Sequence, residues 1–235
     1  MEQIIGRSRS GKGQDNEHWI SMADLMAGLM MVFLLIAIAF MRYVQVERDK
    51  IKEVAVAYQN TQVALFEALE DEFVNDLVRW DAEIDRSTLE FRFKSPEVLF
   101  DTGKFNLKPS FKRILDDFFP RYMQVLMAFK NDITEVRIEG HTSSDWTGVS
   151  RPEEAYFNNM ELSQGRTRQV LQYLYMMPAV EQERDWMKGA FAAVGFSSAH
   201  PILDEDGQED SIRSRRVTFK VLTNAELQIR RIIQE

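Results

Sequence analysis

The chain has 235 residues, a net charge of −8, a pI near 5.1 and no cysteine. Its length allows one membrane span, a connector and one domain with a hydrophobic core. The acidic charge argues against direct nucleic-acid binding, and the lack of cysteine excludes disulfides, a thiolate nucleophile and a zinc site built on cysteine. Because His18, His141 and His200 lie far apart in sequence, we expect no metal site, and no motif indicates a cofactor.

Residues 1–18 are rich in polar residues and glycine and show no apolar periodicity, which predicts a disordered arm on the cytoplasmic side. Charge counting does not decide the membrane orientation, because basic residues lie on both sides of the apolar segment that follows. Before that segment they are Arg7, Arg9 and Lys12, and after it they are Arg42, Arg48, Lys50 and Lys52.

Residues 19–41 are predicted to form a transmembrane helix. Leu25 to Met41 is an apolar run of about 17 residues, and the whole segment makes a helix of about 34 Å. Asp24 is the ionisable residue inside this span, and a carboxylate within a membrane is costly, which favours a functional role. Its helix face carries mostly small residues, which permits close approach of another helix: Ser21, Ala27, Gly28 and, one turn further, Met31.

Three simpler interpretations of this span remain open. Ser21 to Asp24 resembles a capping box at a helix start. Ala37 to Ala39 has the small-x-small pattern of a signal-peptide cleavage site, although the apolar run continues to Met41 and begins with an acidic residue. A plain membrane anchor is the third possibility, and it gives Asp24 no role.

Residues 42–83 lack glycine and proline and are predicted to form a helical linker. Apolar residues recur seven positions apart at Val44, Ile51, Tyr58 and Leu65, which favours pairing of this helix with the same helix of a second copy of the chain. The pattern is nearly as compatible with a helix that packs on its own domain. An apolar stripe at helical spacing follows, formed by Phe66, Leu69, Phe73, Leu77 and Trp80. It predicts that this part of the helix packs against the core of the globular domain.

Residues 84–223 are predicted to form an α+β domain with the order β-α-β-α-β-β and helices on one face of the sheet, and residues 224–235 a terminal helix capped by Asn224. Alternation at Leu89, Phe91 and Phe93 indicates the first strand, and Pro109 fits the first turn of the first helix. The other predicted elements are a helix around 114–126, strands at 136–140, 190–194 and 216–222, a loop at 143–157, a helix at 159–177 and an acidic loop at 204–210.

Four segments of this domain carry a family resemblance. Together they resemble the OmpA-like peptidoglycan-binding domain over about residues 85–222. The segments are LFDTG at 99–103, IEGHT at 138–142, N-x-x-L-S-x-x-R at 159–166 and RRV at 215–217.

The resemblance implies a site for the zwitterionic end of a stem-peptide diamino acid. Arg166 takes the carboxylate through its guanidinium fork, Asn159 bonds the peptide, Leu162 holds the turn, and Asn158 and Ser143 complete the candidate set.

Ser143 is a departure, because the family has an aspartate there that pairs with the ammonium group. Asp145 could replace it if the loop bends back. Structural roles remain open for Arg166 as an ion pair and for Asn159 as a helix cap. Arg215 and Arg216 are expected to pair with carboxylates. His141 is expected to fix its loop by hydrogen bonding, and because it has no nucleophile or second base at partner spacing, we expect no enzymatic activity.

Trp19-x-x-x-x-Asp24-Leu25-Met26 resembles the single span of MotB-type stator subunits, and residues 21–30 resemble the MotB-like subunit of Zorya anti-phage systems. The resemblance implies a homodimer inside a ring of a MotA-like (ZorA-like) membrane subunit, with Asp24 carrying a proton. The C-terminal domain is then periplasmic and binds peptidoglycan, and rotation signals to cytoplasmic defence effectors. A flagellar stator subunit, a structural OmpA-like cell-wall tether and a TolR- or ExbD-like energiser remain as alternatives.

Overall fold

The computed structural model describes residues 12–94, 99–148 and 151–224. The chain divides into two units at residue 53, and the second unit begins at Val54. The first helix, α1, extends from Lys12 to Phe73. It begins inside the predicted disordered arm, because adding turns to an existing helix costs far less than starting one. Residues 1–11 of that arm lie outside the described residues.

Among the described residues, one helical stretch, Met22–Lys52, is long and apolar enough to cross a membrane. The side chains of residues 22–41 are exposed, including Leu25 at 74% and Phe33 at 61%. In water such a surface is unfavourable, so a lipid or protein environment must cover it. The predicted span, residues 19–41, lies within α1 and overlaps this stretch.

The second unit is built on a five-stranded sheet. The strands are β1 (Ala82–Asp85), β2 (Glu90–Phe93), β3 (Ile133–His141), β4 (Phe191–Gly195) and β5 (Arg216–Thr223). Their order in the sheet is β1-β2-β5-β3-β4, in which β3 and β4 are parallel and the other neighbouring pairs are antiparallel.

Proline and aspartate set the starts of several helices. Pro109 and Pro152 each occupy the first turn of a helix, where a missing N–H costs nothing. The Asp210 side chain accepts hydrogen bonds from the N–H groups of Ile212 and Arg213 at the start of a short helix. The helices after α1 are α2 (Pro109–Ala128), α3 (Pro152–Tyr175), a 3-10 turn (Pro178–Val180), α4 (Arg184–Ala190) and α5 (Ser211–Ser214).

The core lies between the sheet, α2 and the end of α1, and it is rich in phenylalanine. Phe91 and Phe219 are fully buried, while Arg92 and Lys220 alternate with them on the other face of the sheet. The Phe118 ring contacts many of the other core rings. The predicted docking stripe is confirmed, since Phe66, Leu69, Phe73 and Trp80 are buried and Leu77 packs against the core.

The predicted α+β class and the strands at 89–93, 136–140, 190–194 and 216–222 are confirmed, and several element limits differ. The observed order also contains β1, α4 and α5, which the sequence did not predict. The helical linker does not extend to residue 83, because α1 ends at Phe73 and a turn segment follows, ending at Asp81 with a φ of 49° just before β1. Helix α3 starts at Pro152 and not near residue 159. Residues 225–235 of the predicted terminal helix lie outside the described residues.

Candidate functional site

A cleft of about 340 Å³ opens in the second unit. It lies among the loop after residue 99, the loop after β3 and the first half of α3. Its volume is at the lower end of the range for small-molecule sites. The lining residues are Phe100, Thr102, Gly103, Thr142, Ser143, Asp145, Trp146, Thr147, Asn159, Leu162, Arg166 and Arg215.

Two glycines let α3 pack closely on β3 and β4. A Cβ at Gly140 would lie 2.8 Å from the Ser163 carbonyl oxygen, and a Cβ at Gly195 would lie 2.4 Å from the Gln164 nitrogen. The Gln164 side chain accepts a hydrogen bond from the Gly195 N–H and donates one to the Ala193 carbonyl. This close contact fixes the helix face that carries Asn159, Leu162 and Arg166 at the cleft.

Arg166 is 8% exposed and lies at the wall of the cleft. Its Nε donates to the Lys104 carbonyl at 3.0 Å and its Nη2 to the Asp101 carbonyl at 3.4 Å. The guanidinium carbon lies 4.8 Å from the centre of the Phe100 ring. Backbone carbonyls and an aromatic face therefore hold the buried guanidinium in one orientation. Arg166 lies in the middle of α3.

Asn159 organises the loop after β3. Its Nδ2 donates to the Ser143 carbonyl at 3.1 Å and to the Asp145 carbonyl at 3.3 Å. Asn159 lies inside α3, so it is not a helix cap, and its amide N–H groups are used to hold the loop. Ser143 is 4% exposed and lines the cleft beside it.

Two further contacts hold the same loop from the segment before β5. The Ser144 N–H and hydroxyl both donate to the Glu209 carboxylate. The Ser211 hydroxyl donates to Asp145 Oδ2 at 3.1 Å. Asp145 is one of the lining residues of the cleft.

The structure brings four of the five predicted cell-wall residues to one cleft: Ser143, Asn159, Leu162 and Arg166. Asn158 is half-buried and is not one of the lining residues, because successive helix residues point about 100° apart. Trp146 was not predicted from the sequence, and Arg215 was expected to have only a structural role. Both line the cleft. The RRV motif pointed to Arg215, whereas no sequence pattern singled out Trp146.

His141 and Arg216 have structural surroundings. His141 Nε2 lies 3.5 Å from Glu139 Oε2, its ring stacks on Phe196, and burial lowers its pKa. Arg216 was expected to pair with a carboxylate, but it donates to the His200 and Ser214 carbonyls. Burial lowers the pKa of Arg216, and the charge of Arg92 lowers it further. Arg216 lies at the start of β5, beside these carbonyls.

Asp24 belongs to the first unit, on α1, where its side chain is exposed among apolar neighbours. Gly28, one turn later on the same face, has no atom of the described residues within 4 Å of the position of a Cβ. This helix face is therefore open around the carboxylate, and a second helix or water can approach it.

Residues 99–215 match the OmpA family. Over 235 residues, covering all of both chains, the sequence is 66% identical to the Zorya protein ZorB of Escherichia coli (strain ATCC 8739). Among solved structures, a putative MotB-like protein from Desulfovibrio vulgaris is 23% identical over 73% of this chain and 94% of that chain, with a TM-score of 0.49. The periplasmic domain of Helicobacter pylori MotB is 16% identical over 65% of this chain and 88% of that chain, with a TM-score of 0.42.

Proposed function

We infer that this chain, which belongs to the ZorB family of Zorya proteins, is the cell-wall-anchored B subunit of a stator-type motor in the bacterial inner membrane. In this role α1 crosses the membrane once, with its N-terminus in the cytoplasm, and the OmpA-like domain is periplasmic. The domain binds peptidoglycan, and Asp24 carries a proton.

One observation carries the cell-wall part of this proposal. Four of the predicted cell-wall residues, which span 23 positions of the sequence, line a single cleft with buried Arg166 at its wall: Ser143, Asn159, Leu162 and Arg166. A guanidinium group binds a carboxylate through two parallel N–H···O hydrogen bonds. A second guanidinium, that of Arg215, lines the same cleft. The cleft therefore suits a ligand that carries carboxylate groups.

The stem peptide of peptidoglycan fits this requirement. Its diamino acid ends in a carboxylate and an ammonium group on one carbon, and the carboxylate suits the guanidinium of Arg166. The carbonyls of Lys104 and Asp101 and the Phe100 ring hold that guanidinium in one orientation, so little side-chain entropy is lost on binding.

The ion-carrying part of the proposal rests on Asp24. A charged carboxylate costs about 2.5–3.5 kcal/mol at the centre of a membrane helix and less near its edge, whereas its protonated form costs much less. Taking up a proton on the periplasmic side and releasing it to the cytoplasm would therefore change how α1 sits against a partner helix. We propose that the subunit is a homodimer inside a ring of a MotA-like (ZorA-like) membrane subunit, and that this change drives rotation of the ring.

The wall-bound domain would keep the dimer still while the ring turns around it. In a Zorya system, the rotation would signal phage infection to cytoplasmic defence effectors. The identity to ZorB over the whole chain favours this setting over a flagellar one.

The cell-wall function is tested by co-sedimentation of the full-length protein, solubilised in detergent, with purified sacculi. Arg166→Ala is expected to weaken sedimentation by about tenfold or more, because it removes a charge-assisted contact. Arg168→Ala is the matched control, since Arg168 is exposed on the same helix and is not a lining residue of the cleft. Equal sedimentation of the wild type and Arg166→Ala would reject the cleft as the wall-binding site.

A further inference from the structure

We infer that Glu209 is a positioning residue for cell-wall binding, since it holds the loop after β3 in place from outside the cleft; the inference rests on the proposed cell-wall function. The loop consists of residues 142–147, and five of these six residues line the cleft. The sixth, Ser144, is exposed and bonds Glu209. Glu209 therefore acts on the cleft through the shape of the loop and not through contact with a ligand.

The contact between Ser144 and Glu209 uses both polar groups that Ser144 can donate. The Ser144 backbone nitrogen lies 3.0 Å from Glu209 Oε1 and 3.2 Å from Oε2, and the Ser144 hydroxyl donates to Oε2. An ionised carboxylate only accepts hydrogen bonds, so it can take both donors at once, and such bonds are stronger than those to a neutral acceptor. The contact joins residues 65 positions apart, so it ties the loop to a distant part of the chain.

Glu209 and Asn159 hold the same peptide group from its two ends. The Asn159 side chain donates to the Ser143 carbonyl at 3.1 Å, and the Ser144 N–H of that peptide group donates to Glu209. A peptide group is planar, so fixing its oxygen and its N–H together prevents the plane from rotating. Without Glu209 the plane would be held at its oxygen alone. The residues on either side of it, Ser143 and Asp145, would then no longer be fixed at the cleft.

The segment that presents Glu209 is itself folded as a hairpin, residues 202–210. Leu203 and Glu209 form an antiparallel bridge, and the Asp210 N–H donates to the Ile202 carbonyl at 2.8 Å. The hydroxyl oxygen of fully buried Ser214 accepts the Ile202 N–H at 2.9 Å, which anchors the base of the hairpin next to β5. The Glu209 carboxylate is therefore placed by the fold, and holding the loop costs little ordering when a ligand binds.

The test is co-sedimentation of the full-length protein, in detergent, with purified sacculi. Glu209→Gln is expected to weaken sedimentation by about 3- to 10-fold, because the amide keeps one accepting oxygen and its NH2 group cannot accept the second donor. Ser144→Ala, which loses the hydroxyl but keeps the backbone N–H, is expected to weaken it less. Ser144→Thr restores a hydroxyl and should bind as the wild type does. The double variant with Ser144→Ala and Glu209→Gln should lose less than the product of the two single losses, because both changes remove one contact.

Two further measurements separate positioning from folding. The midpoint of urea unfolding of Glu209→Gln should match the wild type, whereas amide hydrogen exchange of residues 142–147 should be faster in the variant. Glu205→Gln is the matched control, since it makes the same change at an exposed position of the same hairpin. It should leave both sedimentation and loop exchange unchanged.

The outcomes distinguish this inference from the proposed function. If Arg166→Ala loses sedimentation while Glu209→Gln binds as the wild type does, Glu209 has no positioning role and the proposed function stands. A loss of binding by Glu209→Gln together with a lowered unfolding midpoint and unchanged loop exchange would also overturn the inference, because Glu209 would then act through stability. If the wild type itself does not sediment with sacculi, the proposed cell-wall function is overturned, and the inference with it.

Discussion

Arg166 combines two properties that a lysine cannot supply at this position. Its planar fork reaches the carbonyls of Lys104 and Asp101, and its guanidinium lies against the Phe100 ring. A lysine keeps the positive charge but is a flexible point charge with no plane to stack. The geometry of the cleft therefore depends on the guanidinium group and not on charge alone.

We expect Arg166→Lys to weaken binding to sacculi by several-fold, to a smaller extent than Arg166→Ala, because charge is kept and orientation is lost. Arg168→Lys is the matched control at an exposed position. The measurement is the sedimented fraction of full-length protein over a range of sacculus concentrations. Wild-type binding by Arg166→Lys would mean that charge alone suffices.

Asp85, the last residue of β1, makes the stability of the folded domain depend on pH. Burial raises its pKa, but hydrogen bonds from Ser87 and the charge of Arg92 outweigh that effect and lower the pKa to about 2. An unfolded aspartate has a pKa of about 3.9. Since the folded pKa is the lower one, this stabilisation is present above about pH 4 and is lost as the pH falls towards 2.

We therefore expect Asp85→Asn to destabilise the domain at pH 7 and to reduce the loss of stability between pH 5 and pH 2. The measurement is the midpoint of urea unfolding of the detergent-solubilised protein, followed by tryptophan fluorescence. Asp71→Asn, at an exposed position of α1, is the control. If Asp85→Asn and the wild type lose stability in parallel, the Asp85 contacts do not contribute.

At the scale of elements, the contact of α3 with β3 and β4 positions the cleft and leaves no room for a side chain at Gly195. An alanine Cβ there would lie 2.4 Å from the Gln164 nitrogen and 2.8 Å from the Gln164 Cα. Backbone atoms cannot move without shifting the whole helix, so we expect Gly195→Ala to cost about 1–3 kcal/mol or more.

Gly189→Ala is the matched control, because within the part of the chain that the structure describes no atom lies within 4 Å of a Cβ at that position of α4. An alanine in a helix is expected to be neutral or to stabilise by up to about 1 kcal/mol. The measurement is the unfolding midpoint of the two variants in the same detergent. We also expect Gly195→Ala to weaken sacculus binding, since a displaced α3 moves Arg166. An unchanged midpoint for Gly195→Ala would contradict the close packing.

Sequence patterns predicted the elements whose own residues carry the signal. Alternation at Phe91 and Phe93 identified β2, and Pro109 marked the start of α2. The same argument applies to Pro152, but the polar residues before it favoured a loop, and the start of α3 was placed seven residues too late. Strand β1 was missed because its four residues, Ala82–Asp85, are too few to show a pattern before they pair with β2.

The candidate site was predictable only where the family motif names a residue. Arg166, Asn159 and Leu162 follow from the motif and lie at one cleft. Trp146 and the position of Asp145 could not be predicted, because they depend on contacts that span 65 and 66 residues, from Ser144 to Glu209 and from Asp145 to Ser211. Long-range side-chain contacts of this kind leave no local pattern in the sequence.

At the scale of the whole molecule, the resemblance to the MotB-like subunit of Zorya systems is confirmed by the identity to ZorB along the full chain. The two units carry different chemistry. The first contains the apolar helical stretch Met22–Lys52, with Asp24 as the carboxylate in its first half, and the second contains a polar cleft lined by the guanidinium groups of Arg166 and Arg215. In the proposed motor the first unit would transfer ions and the second would hold the wall. A substitution in the first unit should therefore leave binding to the cell wall unchanged, and a substitution in the cleft should leave ion transfer unchanged.

Asp24→Asn tests this division in cells. We expect this variant to lose protection against phage almost completely, because an amide cannot take up and release a proton, while its size and polarity still allow membrane insertion. The measurement is the plating efficiency of phage on cells that express the chain with its neighbouring system proteins. Membrane fractionation, co-purification of the ring subunit and sacculus sedimentation should match the wild type.

Asp49→Asn, at an exposed acidic position of α1 beyond residue 41, is the matched control and should keep protection. Full protection by Asp24→Asn would reject the proton-carrier role, whereas loss of membrane insertion or co-purification would assign Asp24 to assembly.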